Sequence, residues 1–146
     1  MADTASMTLT VDAPLDECWA IATDFERYPE WAKDVKSAVA VARDDRGRAT
    51  EVEFRTSALG RSTHYTLAYD YSAAPHRLAW RMVKGDIMRA VDGAYMFAPD
   101  ASGGVVVTYN LSIELVVPLP GFVKRRAEVR ILNTVKELKV RAESAQ

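Results

Sequence analysis

Residues 105–142 read VVVTYNLSIELVVPLPGFVKRRAEVRILNTVKELKVRA, and the spacing of the apolar side chains changes within this stretch. From Val105 to Leu115 the odd-numbered positions are apolar, which predicts a strand with one buried face. After Pro118-Leu119-Pro120-Gly121 apolar residues recur every three or four positions, which predicts a helix that continues nearly to the end of the chain. We therefore expect a last strand followed by a long helix that packs on the dry face of a sheet.

The predicted last helix carries more apolar surface than one half-buried face requires. Its central stripe consists of Val123, Ala127, Ile131, Val135, Leu138 and Ala142. A second apolar set lies to one side of that stripe: Phe122, Val129, Leu132 and Val140. This second set would edge a cavity, pack on the first two helices, or form a dimer contact, and the pattern leaves these three alternatives open.

The segment 35–117 has an apolar period of two and predicts six strands joined by hairpins. Turn residues separate the predicted strands at Asp44-Asp45-Arg46-Gly47, Gly60, Ala74-Pro75, Gly85 and Ser102-Gly103-Gly104. A further short strand is predicted at residues 7–11, before the helices. The inward-facing positions around Gly93 stay open, because a glycine inside a strand often marks a bulge.

Two short helices are predicted between the first and second strands. Pro14 suits the first position of a helix over about residues 14–24, which has one apolar face. Tyr28-Pro29 then interrupts the helix, and Pro29 suits the start of a second short helix that carries Trp31. We expect Phe25 and Trp31 to anchor this bend on the sheet and on the last helix.

Composition excludes several classes of protein. The 146 residues, of which 49% are hydrophobic, fit one domain over residues 1–146. A net charge of −1 argues against a nucleic-acid partner. No segment approaches the roughly 18 apolar residues of a membrane span, so we expect no integral membrane segment and a cytoplasmic location. One cysteine, Cys18, and two histidines give no zinc spacing, and we expect neither a metal nor a cofactor.

Short motifs along the chain carry a resemblance to a known superfamily. They are Val11-Asp12-Ala13-Pro14 with Trp19, Tyr28-Pro29-Glu30-Trp31, Leu78-Ala79-Trp80, Gly93-Ala94-Tyr95-Met96-Phe97 and Pro118-Leu119-Pro120-Gly121-Phe122. With these motifs the sequence resembles the polyketide cyclase/dehydrase and lipid-transport branch of the START-like (SRPBCC) superfamily. The resemblance implies an α+β helix-grip fold of the order β-α-α-β6-α. In that fold a curved antiparallel sheet of about seven strands wraps around a long C-terminal helix and encloses a cavity.

The predicted dry face of the sheet is rich in aromatic and sulfur-bearing side chains: Phe54, Tyr65, Tyr69, Trp80, Met82, Tyr95 and Tyr109. Buried tyrosine hydroxyls need partners, and ligand pockets combine apolar walls with a few polar groups. A solid core with hydroxyls at its rim is the alternative, and the resemblance favours a cavity. Trp31, Phe122 and Ile131 complete the predicted ligand site.

Two functions fit these features. The first is binding or carriage of a hydrophobic small molecule such as a lipid, a quinone or a polyketide, because the sequence shows no clear catalytic constellation. The alternative is a polyketide aromatase/cyclase or dehydratase that uses general acid/base residues. Its candidate catalytic residues are Arg81, Arg89, Asp92 and Tyr95, since an irregularity at Gly93 would turn a polar group inward. A third hypothesis is an interaction module that docks on a partner through the exposed residues of the last helix.

Overall fold

The computed structural model describes residues 3–58, 61–86, 88–115 and 121–144, of which residues 3, 58, 61, 115 and 121–132 are described by backbone alone. The first three elements are β1 (Asp3–Val11), α1 (Leu15–Thr23) and a 3₁₀ helix (Phe25–Glu30). Six strands follow: β2 (Val35–Arg43), β3 (Ala49–Ala58), β4 (Arg61–Asp70), β5 (Arg77–Gly85), β6 (Met88–Pro99) and β7 (Val105–Leu115). The last element is α2 (Gly121–Ser144).

The strands form one antiparallel sheet in the order β1-β7-β6-β5-β4-β3-β2. Strands β2 to β7 each pair with their neighbours in the chain, whereas β1 pairs with β7 over the register Asp3↔Ile113 to Val11↔Val105. The two edges of the sheet are therefore β1 and β2. The seven strands and the C-terminal helix confirm the element count that the apolar periodicity predicts.

Alternation along the strands separates a dry inner face from a wet outer face. In β7 the inner residues are all buried: Val105, Val107, Tyr109, Leu111 and Ile113. On α2, Val135, Leu138 and Ala142 have no exposed surface and belong to the same apolar core. The backbone of α2 approaches β1, β7 and α1. The apolar stripe of the helix thus covers one side of the inner face, as its period predicts.

The two short helices are arranged differently from the predicted break at Tyr28-Pro29. The first helix spans Leu15–Thr23, within one residue of the predicted range at each end. The second begins at Phe25 rather than at Pro29, so Pro29 lies inside it, and it ends at Glu30, before Trp31. Arg27 N donates to Asp24 O at 3.2 Å, and Trp31 N donates to Tyr28 O at 3.1 Å. The 3₁₀ helix therefore consists of two successive turns, and Pro29 begins the second, where its missing N–H is not required.

The register of β6 settles which residues face inward around Gly93. Its irregularity lies between Met88 and Ala90, at the start of the strand, and Gly93 pairs in regular register with Trp80. A Cβ at Gly93 would meet the Asn110 carbonyl oxygen and would lie 2.8 Å from Trp80 Cζ2. Glycine is thus needed here for the close approach of the indole ring, and not for a bulge.

The described helices are too short or too polar to cross a membrane.

Replacement of Leu138 tests the packing of α2 on the sheet. Leu138→Ala should lower the free energy of unfolding by about 2–5 kcal/mol, because a fully buried leucine leaves a cavity. Val140→Ala is the matched control on the same helix, since 67% of the Val140 surface is exposed, and its effect should stay within about 0.5 kcal/mol. Urea unfolding followed by circular dichroism measures both values. Equal effects of the two substitutions would contradict the packing described.

Candidate ligand-binding site

Six aromatic side chains from the five neighbouring strands β3 to β7 lie on the inner face, and we call this set the aromatic wall. Its members are Phe54, Tyr65, Tyr69, Trp80, Tyr95 and Tyr109. They form three direct cross-strand pairs, namely Phe54↔Tyr65, Tyr69↔Trp80 and Tyr95↔Tyr109. The register of the sheet, and not only the alternation within each strand, therefore brings the rings together.

Trp80 is the centre of the wall. Its ring centroid lies 5.4 Å from that of Tyr95, 5.6 Å from that of Tyr109 and 6.1 Å from that of Tyr69. Tyr95 and Tyr109 are themselves 4.9 Å apart. Such pairs each add about 0.5–1.5 kcal/mol beyond the burial of their area, so the wall is held together by its own ring contacts.

Three further rings extend the wall beyond the ligand-binding residues that the sequence predicts. The ring centroid of Phe25 lies 4.3 Å from that of Tyr69, which confirms that Phe25 anchors the bend on the sheet. The ring centroids of Tyr28 and Phe54 are 6.0 Å apart, and the Tyr28 hydroxyl donates to Ala22 O at 2.6 Å. Phe97 stacks on Tyr95 at 5.8 Å. Phe97 is two residues after Tyr95, so the period of the strand was a signal that could have identified it.

The other predicted ligand-binding residues are half-buried, or their side chains lie outside the described residues. Trp31 is half-buried at the rim, with its ring 4.7 Å from that of Tyr28. It lines a surface groove of about 730 Å³ between the 3₁₀ helix region and α2, together with residues such as Val140 and Arg141. Met82 is half-buried against the inner-face core. The side chains of Phe122 and Ile131 lie outside the described residues.

The four candidate catalytic residues lie on opposite faces of the sheet. Arg81, Arg89 and Asp92 are exposed, whereas Tyr95 is only 3% exposed and faces inward. Arg89 pairs with Glu114 at 3.5 Å, and Asp92 Oδ1 accepts a hydrogen bond from Met82 N at 3.0 Å. The structure therefore does not bring the four together, because the irregularity of β6 precedes Asp92 and leaves its side chain on the outer face.

The tyrosines of the wall are uncharged hydrogen-bonding groups at neutral pH. Burial, reinforced by the neighbouring phenols, holds the pKa values of Tyr69, Tyr95 and Tyr109 well above 10. Burial raises the pKa of Tyr65 to about 12. A phenol that keeps its proton donates a hydrogen bond and does not act as a base.

Ionisable groups outside the wall show no comparable site in the described part of the chain. His64 is exposed on the outer face, where Arg55 Nε donates to its Nε2 at 2.7 Å. In the same described residues no three His, Cys, Asp or Glu side chains come together as metal ligands would. The chemistry that the inner face offers is therefore ring stacking and neutral hydrogen bonding.

The polyketide cyclase/dehydrase and lipid transport family matches residues 2–141 of the sequence. The chain belongs to this family. A search of curated proteins finds no match.

Solved structures of other proteins have the same START-like fold as this chain. A START superfamily protein from Mycobacterium smegmatis is 24% identical, with a TM-score of 0.89 over 98% of this chain and 99% of that one. A Thermus thermophilus protein is 20% identical, with a TM-score of 0.84 over 99% of both chains. The Zhui aromatase/cyclase from a Streptomyces species is 15% identical, with a TM-score of 0.70 over 99% of this chain and 91% of that one. At these identities the similarity concerns the fold.

The raised tyrosine pKa values predict how the folded protein titrates in alkali. All six tyrosines have pKa values above the usual value near 10, so the folded state binds protons more tightly than the unfolded state. The stabilisation that the protonated, buried tyrosines contribute is therefore fully present below about pH 10. It is lost as the pH rises through their higher folded-state pKa values. Phenolate absorbance should stay flat past pH 10 and then rise together with loss of the circular dichroism signal.

Protein unfolded in guanidinium is the control, and its tyrosines should titrate near pH 10. A large phenolate signal from the folded protein at that same pH would show that the tyrosines are accessible and would contradict the burial described.

Proposed function

We propose that this protein binds or carries a hydrophobic small molecule, such as a lipid, a quinone or a polyketide-like compound, between the aromatic wall and α2. The observation that carries the proposal is the wall itself. It presents flat rings from five strands together with phenolic hydroxyls and an indole N–H. Pockets for small molecules have this composition, with apolar surfaces for affinity and a few polar groups for orientation.

The dimensions of the elements support a space over the wall. Five strands spaced by about 4.8 Å span roughly 19 Å, whereas an α-helix with its side chains is about 10–12 Å wide. The backbone of α2 approaches β1, β7 and α1, and that of the 3₁₀ helix approaches β2. These elements cover the two sides of the inner face. Because Trp80, Tyr95 and Tyr109 are at most 7% exposed without a ligand, a molecule that binds between these elements has to displace side chains that cover the rings.

The groove beside Trp31 is the access route that we favour. Arg141 donates to Glu30 Oε1 at 2.7 Å, and Lys33 N donates to Glu137 Oε2 at 2.9 Å. Both contacts hold the residues around the 3₁₀ helix to α2. Because the Arg141 and Glu30 side chains are 35% and 49% exposed, their ion pair contributes little to stability and opens readily.

Titration with the neutral probe N-phenylnaphthylamine tests binding at the wall. Tyr109→Leu should weaken its binding about 3- to 10-fold, because one ring contact is lost from the inner face. Thr108→Leu is the matched control on the outer face of the same strand, and it should leave the affinity unchanged. Probe fluorescence measures both affinities, and mass spectrometry of the protein extracted from its native host identifies the natural ligand. Absence of probe binding together with an extract free of apolar ligand would refute the proposal.

A polyketide aromatase/cyclase or dehydratase activity is the second candidate. The family description and the burial of Tyr95 favour it, because a protonated phenol inside the fold can donate to a ketone and polarise it. Under this candidate Tyr95→Phe should abolish turnover of a short poly-β-ketone thioester. Arg81→Ala, Arg89→Ala and Asp92→Ala should leave turnover unchanged, since these side chains are exposed on the outer face. If the wild-type protein binds the thioester and returns it unchanged, as chromatography would show, the activity is ruled out for that substrate.

A further inference from the structure

The indole N–H of Trp80 lacks a hydrogen-bond acceptor. Trp80 is 7% exposed, and its Nε1 is a buried nitrogen without a partner, the one such side-chain atom among the described residues. An indole nitrogen can donate but cannot accept, and native proteins rarely leave a buried donor unsatisfied. By contrast, the hydroxyl of the buried Tyr28 donates to a backbone carbonyl. Trp80 thus has a donor for which the described fold supplies no acceptor.

The position of this donor follows from the register of the sheet. Trp80 pairs with Gly93, and a Cβ on that glycine would lie 3.1 Å from Trp80 Cε2, the ring carbon to which Nε1 is bonded. The edge of the ring that carries Nε1 therefore lies over the backbone of β6. Tyr69, Tyr95 and Tyr109 surround the same ring. The unsatisfied donor is consequently at the centre of the aromatic wall.

The surroundings of Trp80 favour an uncharged acceptor. Its three tyrosine neighbours keep their protons at neutral pH, because burial and the phenols around them raise their pKa values. A carboxylate ligand would lose its hydration among these buried, uncharged rings, which is unfavourable. A carbonyl oxygen accepts a hydrogen bond without this cost, and a flat ligand can stack on the rings.

We infer that the ligand of this protein is a flat, uncharged carbonyl compound whose oxygen accepts a hydrogen bond from Trp80 Nε1. The inference rests on the proposed function and narrows its ligand class, from any hydrophobic molecule to a quinone-like or polyketide-like ketone. A saturated lipid chain provides neither the acceptor nor the flat surface. Trp80 is then the residue that distinguishes a ketone from a hydrocarbon of the same shape.

Fluorenone and fluorene are suitable probes, because they have nearly the same shape and only fluorenone carries a carbonyl oxygen. Fluorenone should bind the wild-type protein about 2- to 10-fold more tightly, as expected for one net hydrogen bond. In a proton–nitrogen correlation spectrum the indole resonance of Trp80 should move downfield with fluorenone but not with fluorene. Trp80→Phe assigns that resonance by its disappearance.

The same variant tests the preference itself. Trp80→Phe keeps an aromatic ring but removes the donor, so it should bind the two probes with equal affinity. Trp19→Phe is the matched control, because it makes the same change at a half-buried tryptophan that contacts Tyr71 and Phe97, and it should keep the preference for fluorenone. Circular dichroism checks that both variants are folded. If Trp80→Phe does not fold, Trp19→Phe and Trp31→Phe assign the other two indole resonances, and the wild-type spectrum then decides the question.

Two contrary outcomes are distinguishable. If both probes bind equally and fluorenone leaves the Trp80 indole resonance unmoved, the donor is satisfied by water or by a neighbouring ring; the carbonyl inference is then overturned while the proposed function stands. If neither probe binds, the carbonyl inference is overturned, and the N-phenylnaphthylamine titration and the extract decide the proposed function separately.

Discussion

The inner face of the sheet has to be covered, and the rest of the structure depends on this constraint. An antiparallel sheet can leave one face in water, but here most inner residues of β3 to β7 are aromatic or aliphatic and need a second layer. Leu138 and its neighbours on α2 provide part of that layer, and Phe25 of the 3₁₀ helix provides another part. The binding proposal concerns the same layer, since a ligand that reaches the central rings takes the place of side chains that cover them in the ligand-free fold.

The sequence predicts best those elements in which apolar residues recur at a regular spacing. Alternation in β7 and the change of period after Gly121 are each supported by many residues, so they identify the sheet and the long helix reliably. The 3₁₀ helix depends on two single hydrogen-bonded turns. In such a short segment Pro29 is compatible with either a break or a new turn, and only the backbone geometry distinguishes them.

The candidate site was predictable to the extent that it lies on one face of each strand. The sequence identified all six rings of the aromatic wall, whereas their cross-strand pairing depends on register, which a single sequence does not reveal. The prediction that Asp92 turns inward depends on an irregularity at Gly93, whereas the irregularity of β6 lies at Met88, where no residue type marks it. The unsatisfied nitrogen of Trp80 is a property of packing in three dimensions and has no counterpart in the sequence.

The pairing of β1 with β7 has a consequence for biosynthesis. Asp3 and Ile113 are partners although nearly the whole chain separates them, and Lys139 Nζ donates to Thr10 O at 2.8 Å to join α2 to the same strand. Contacts between such distant residues form late and slow folding. During translation the first strand must wait for the last strand and helix to leave the ribosome. A newly made chain therefore has no finished interior until β7 and α2 have both been synthesised.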